Sequence, residues 1–318
     1  MRAGAKALSL LAVPLNVHVL TTLAEEPCSL FDLRRAAGSP PQTTMRGHLR
    51  KLTKIGVIKR WQSPEFPGAV EYELGEPGRD LLEVAKLTQR WSDMSPQESI
   101  PLGGSAAKSS LKALVDGWSS GIVRVLAARP LSLTDLNKLI SDLNYPSLER
   151  RLGALRFTGL IEAAPSEGRG TPYKPTSWLR QAMAPMAAAA RWERKHLAQE
   201  TLPISRIDVE AAFLLALPAV QLSPEISGAC RLAVEIRGVE GEQGVAGVLV
   251  QVEEGRVVSC VSRLQGEADG WAAGTARAWI DATIEGRVES LEIGGDCFLA
   301  REILDALHPA YASARQRS

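Results

Sequence analysis

Between Leu15 and Trp91, apolar residues recur at helical spacing and are broken by proline and glycine where a helix would stop. A first helix, around Leu15 to Ala24, halts ahead of Pro27, which cannot continue it. Ser29 is placed to cap a short second helix through Leu33, because its hydroxyl oxygen can accept from a free amide of the first turn. After the turn Gly38-Ser39-Pro40-Pro41, Met45, Leu49 and Leu52 form the buried stripe of a third helix. Gly56 ends that helix as a left-handed C-cap. A strand from Val57 to Trp61, a tip rich in proline and glycine, and a returning strand around Tyr72 complete the pattern. Three helices followed by a β-hairpin make a winged helix.

The pattern is used twice. Val19 to Arg60 aligns without a gap on Ile122 to Ala163, at an offset of 103. Leu23 to Leu33 and Leu126 to Leu136 share seven of eleven residues, and Leu49, Leu52, Gly56 and Ile58 pair with Leu152, Leu155, Gly159 and Ile161. The matches fall on apolar and turn positions, as expected when one fold is built twice. Helices from Pro77 to Trp91 and from Ser177 to His196 follow the two copies, and Ala187 to Ala190 in the latter permit close helix approach. Ser92 to Ser110, rich in Ser, Pro and Gly, reads as a linker.

From about Pro203 the periodicity changes. A helix from Val209 to Leu217 precedes strands at 229–237, 245–252 and 256–261, with Glu254-Gly255 at a hairpin turn. A short strand (270–274), a helix (275–285), the segment 290–295 and a last helix (297–307) follow. The expected fold class is therefore mainly α with α+β: two tandem winged helices, then an α+β domain with a curved antiparallel sheet. Residues 1–95 form the first unit, 96–114 the linker, 115–200 the second unit and 201–318 the last domain.

Charge divides the chain in the same places. The 318 residues carry a net charge of +1, which conceals +4 over residues 1–92, +5 over 93–199 and −8 over 200–318. The basic part suits a polyanion, while the acidic part would be repelled by one. From Arg34 to Arg60 there are eight basic residues and no carboxylate. With Met45, Leu49 and Leu52 turned inward, Thr43, Thr44, Arg46, Gly47 and Arg50 lie on or near the outer face of the third helix. Arginine pairs bidentately with guanine, and threonine meets a thymine methyl or a base edge. Lys51, Lys54, Lys59 and Arg60 suit phosphates, which set affinity and register.

Met45 to Arg60 resembles the third helix and first wing strand of HxlR-type regulators, relatives of the MarR group, and Val70 to Leu82 resembles the return strand and following helix. The resemblance covers roughly residues 10–92 and is looser over 115–197. It implies a DNA-binding regulator that acts as a dimer, so that a tandem pair forms either a homodimer or a pseudo-dimer within one chain. In the second copy Glu149 replaces Arg46, leaving Ser147, Arg150, Arg151 and Arg169 to touch double-stranded DNA. That copy reads either as a weaker reader or as a scaffold imitating a dimer partner.

Asp281 to Gly286, Leu291-Glu292-Ile293-Gly294-Gly295-Asp296 and Leu299 to Leu307 resemble sterol-carrier-protein-like domains, over about 204–310. That likeness implies an apolar tunnel and a hydrophobic small-molecule effector, with Phe213, Leu217, Trp271 and Trp279 as lining candidates beside Leu214, Ile280 and Leu304. Each is equally the kind of residue that any core needs. Trp271 stands out because Gly270, Ala272, Ala273 and Gly274 leave room beside it.

No catalytic motif is visible. The four histidines are isolated, and no HExxH, GxSxG or phosphate-cradling glycine loop occurs. Cys28, Cys230, Cys260 and Cys297 lie far apart with neither disulfide nor zinc spacing, so the cytoplasm is the expected compartment. The longest apolar run has ten residues, against the ~18 needed to span a bilayer. No enzyme activity, cofactor, metal or membrane partner is expected. The leading expectation is a regulator whose operator binding responds to an apolar effector. The alternative is a sequestering or carrier protein in which the winged helices serve as a dimerisation scaffold.

Overall fold

The computed structural model describes residues 4–62, 70–96, 98–115, 117–140, 143–165, 170–197, 204–237 and 243–312. The chain opens with α1 (Ala5–Leu11) and α2 (Pro14–Glu25), where Pro14 fits the first turn because its missing N–H would have no partner there. Then come β1 (Cys28–Ser29), α3 (Leu30–Ala36), α4 (Gln42–Lys54), β2 (Ile58–Gln62), β3 (Val70–Leu74) and α5 (Glu76–Asp93). The succession recurs as α7 (Gly117–Ala128), β4 (Leu131–Ser132), α8 (Leu133–Leu139), α9 (Tyr145–Phe157), β5 (Ile161–Ala163) and β6 (Pro172–Pro175).

The two successions agree in detail. Ser29 accepts from the Asp32 amide and Ser132 from the Asp135 amide, both at 3.2 Å. Met45, Leu49 and Leu52 are buried on α4, as are Leu148, Leu152 and Leu155 on α9. Gly56 and Gly159 take φ of +72° and +75°, the left-handed conformation that ends both helices. Strand order is β1-β3-β2 in one sheet and β4-β6-β5 in the other. Tyr72 lies between Cys28 and Arg60, and Tyr173 between Leu131 and Ala163, at corresponding rungs.

Two expectations in this region need correction. The stretch 96–114 is not simply a linker, because it contains most of α6 (Ser105–Val115). Ala107, Leu111 and Leu114 are buried there at helical spacing, and α6 packs on α1. The helix expected over 177–196 breaks at Ala182 into α10 (Ser177–Gln181) and α11 (Met183–His196).

Helices α5 and α10–α11 run antiparallel along their shared length. Trp192 near the end of α11 donates its indole N–H to the Pro77 carbonyl at the start of α5. Trp91 near the end of α5 meets Trp178 in α10. The buried Glu193 carboxylate accepts from the backbone amides of Gly4, Lys6 and Ala7 at 2.6–3.0 Å, and so caps α1 from a distant part of the sequence.

The remainder contains α12 (Arg206–Ala216), a 3₁₀ turn (Leu217–Ala219), β7 (Gly228–Arg237), β8 (Gln243–Glu253), β9 (Arg256–Val261), β10 (Gly270–Thr275), α13 (Ala276–Glu285), β11 (Glu292–Gly295) and α14 (Cys297–Ala312). The five strands lie in the order β11-β10-β7-β8-β9. The sheet is mixed, not antiparallel throughout, because β10 pairs in parallel with β7. The chain leaves β9 and crosses to the free edge of β7, so its direction there matches that of β7. One sheet face buries Cys230, Leu232, Val234, Val248, Val250 and Ala272. Among the described residues no single helix is long and apolar enough to cross a membrane.

Candidate nucleic-acid interface

Helix α4 presents its expected outer face to solvent. Thr43, Thr44, Arg46, Arg50, Lys51 and Lys54 are exposed, and Gly47 is half-buried with open space where a Cβ would point. Lys59 and Arg60 continue the exposed cationic surface onto β2. Arg46, Arg50, Lys54 and Arg60 converge on a hollow between α4 and the β2–β3 hairpin, floored by Leu49 and Tyr72. Among the described residues none of these cations is held in an ion pair, so their charge is available to a polyanion.

The amino end of α4 adds to this. Its N-cap is Pro41, with no side-chain cap, so first-turn amides remain free at the positive end of the helix dipole. Such an end suits a phosphate oxygen. Helix α9 begins differently. The Asn144 side chain accepts from the Ser147 amide at 3.0 Å and Pro146 occupies the first turn, so fewer donors are free.

His48 fixes α4 to the fold beneath it. The buried Asn16 donates its amide to the Leu10 carbonyl at 3.0 Å, which turns its oxygen toward His48 Nδ1 at 2.9 Å. Burial, and then the nearby Lys51 charge, lower the His48 pKa below its usual 6.5. At neutral pH the ring is therefore uncharged and donates its Nδ1–H to Asn16.

Residues 15–99 match the HxlR-like helix-turn-helix family. Over 85 residues the chain is 29% identical to the uncharacterized HTH-type transcriptional regulator BH0655 of Halalkalibacterium halodurans, spanning 26% of this chain and 75% of that protein. Among solved structures, diamide-treated YodB from B. subtilis is 27% identical, with a TM-score of 0.26, over 28% of this chain and 87% of the other. The HxlR-like region thus takes in α2 to α5, including every cation named on α4 and β2.

The corresponding surface of the second succession is chemically different. The positions of Arg46, Arg50, Lys51 and Lys54 carry Glu149, Gly153, Ala154 and Phe157, and those of Lys59 and Arg60 carry Glu162 and Ala163. Arg150 is exposed, while Ser147 and Arg151 are half-buried; Arg169 lies outside the described residues. Phe157 is 82% exposed, so the position of Lys54 has become an apolar knob.

The lining candidates of the last domain separate. Phe213 and Trp279 meet edge to face at 5.0 Å and border one apolar pocket. Leu217 is fully buried in packing away from that pocket. Trp271 points to the opposite face of the sheet, beside Arg231 and over Gly294, where any Cβ would collide with the indole. The room beside Trp271 is thus filled by its own ring against a glycine, because strand alternation turns it away from the buried face.

Proposed function

We propose that this chain is a DNA-binding transcriptional regulator in which α4 and the β2–β3 hairpin read duplex DNA. The observation that carries this reading is the set of exposed cations, without an ion pair among the described residues, that converge between α4 and the hairpin in a run of 27 residues without a carboxylate. The HxlR-like match over residues 15–99 and the regulator BH0655 support it. Thr43, Thr44, Arg46, Gly47 and Arg50 face the base edges, while Lys51, Lys54, Lys59 and Arg60 take phosphates.

The second succession is proposed as a second winged-helix unit that serves as a built-in dimer partner and does not read bases. Antiparallel packing of α5 on α10–α11 supports an intramolecular pseudo-dimer, and the loss of every equivalent cation on α9 and β5 supports a non-reading role. One chain then carries one reading helix. Its operator is an asymmetric site, not an inverted repeat spaced by one DNA turn. The last domain, proposed as sterol-carrier-like, takes an apolar effector that acts through its differential affinity for two arrangements of the units.

Selection of bound duplexes from random sequence by the full chain tests this proposal. The expected result is one unrepeated motif, bound with a steep dependence on salt. A chain that takes an apolar ligand stoichiometrically but forms no sequence-selective complex is instead a sequestering protein.

A further inference from the structure

A pocket of about 140 Å³ opens on the seam between the second succession and the last domain. One wall is α11, through Met183, Met186 and Ala187; the facing wall is α12 and α13, through Ala212, Phe213 and Trp279. The pocket is partly open to solvent, and its lining is almost wholly apolar. An apolar cavity of about 150 Å³ remains dry and accepts a molecule the size of benzene.

The polar groups at this pocket are already engaged. The Asp208 carboxylate accepts from the Ser205 hydroxyl at 2.8 Å, and the Thr283 hydroxyl donates to the Trp279 carbonyl at 2.7 Å. The Trp279 indole N–H is spent on the Ala233 carbonyl. An anionic ligand would meet the Asp208 charge and lose its hydration without gaining a donor. An uncharged ring fills the void without either penalty.

We infer that this seam pocket is a binding site for an uncharged, ring-sized apolar molecule, held jointly by α11 and by α12–α13. The inference deepens the effector part of the proposed function, and its consequence for DNA rests on that reading; the binding itself does not. The seam is also pinned by polar ties. Arg124 of α7 pairs with the fully buried Glu210 of α12, and Arg180 of α10 donates to the Leu214 and Leu215 carbonyls. A ligand filling the pocket therefore favours the docked arrangement of these bodies.

Fluorobenzene titrated into the full chain, followed by ¹⁹F resonance and by ¹³C-labelled methionine methyl groups, is the test. Saturable binding should shift Met183 and Met186 while leaving Met45 and Met94 in place. Ala187→Leu and Ala212→Leu, one from each wall, should each weaken binding at least tenfold, and benzoate should bind at least tenfold more weakly than fluorobenzene. The methyl shifts are read on the unaltered protein, so they decide the matter even if a variant fails to fold. Absence of saturable binding, binding that leaves Met183 and Met186 unshifted, or equal binding of benzoate overturns the inference. Gel shifts of the ligand-free chain on selected duplexes report on the regulator reading alone. A filled pocket without DNA binding removes that reading, and DNA binding with an empty pocket removes this one.

Discussion

Trp91 and Trp178 bond to each other twice. Each indole N–H donates to the other residue's backbone carbonyl, at 2.8 and 2.7 Å, and the rings stack with centroids 4.5 Å apart and planes 5° from parallel. Both side chains are fully buried. The pair closes one end of the α5 and α10–α11 interface, and Trp192 on the Pro77 carbonyl closes the other. Trp91→Ala should destabilise the chain by about 3–5 kcal/mol through the cavity and the loss of the hydrogen bond from its own indole N–H. Urea denaturation measures this, and a change below ~1 kcal/mol would mean that the interface does not depend on the pair.

Glu193 ties α11 to α1. Its carboxylate satisfies three backbone amides at the start of a helix, and the position is 4% exposed. Glu193→Ala should cost on the order of 2–3 kcal/mol, because those amides are left buried and unpaired. Amide exchange across α1 should accelerate at the same time, and unchanged protection would show that the cap is dispensable.

The two successions were legible because their matches sit on residues with fixed physical duties. Ser29 and Ser132 cap helices, and Gly56 and Gly159 take the backbone conformation that side chains disfavour. Helix α6 was hidden because Pro101, Gly103, Gly104 and repeated serines resemble a linker, although Ala107, Leu111 and Leu114 keep a helical stripe. The parallel β10–β7 pair could not be read from any local pattern, since alternation marks a strand but not its neighbour. Trp271 misled because small residues beside an aromatic were read as space, whereas on its own sheet face Gly294 is covered by the indole. The outer face of α4 was readable because buried Met45, Leu49 and Leu52 leave few other positions for its cations.

The α5–α11 interface also carries a pH-dependent cluster. Asp80 lies 2.7 Å from both Lys195 Nζ and His196 Nε2. Partial burial raises the Asp80 pKa, but hydrogen bonds from Lys195 and His196 outweigh it, and the net result lies below the usual 3.8. A carboxylate with a depressed folded pKa adds stability above its unfolded value and loses it as pH falls through the folded one. The gap in urea midpoint between the parent chain and Asp80→Asn should therefore be full at neutral pH and close below about pH 4. A gap independent of pH would assign the effect of the substitution to packing.

Arg46 sits near the start of the reading helix, exposed and without an ion pair among the described residues. Arg46→Ala should relax discrimination at one base position by ~1–3 kcal/mol while leaving other positions alone. Competition between duplexes differing at single positions measures this. Unaltered preference in a folded variant would remove Arg46 from base contact.

The claim that α4 lies against a duplex is tested most directly by the salt dependence of DNA affinity in the full chain and in Lys51→Ala/Lys54→Ala. Both lysines are exposed and are assigned to phosphates. Each released contact should reduce the slope of log K against log salt by about 0.9, so the pair should lower it by about 1.8 on every sequence tested. A slope unchanged by the double substitution, or no measurable binding at low salt, would contradict the account.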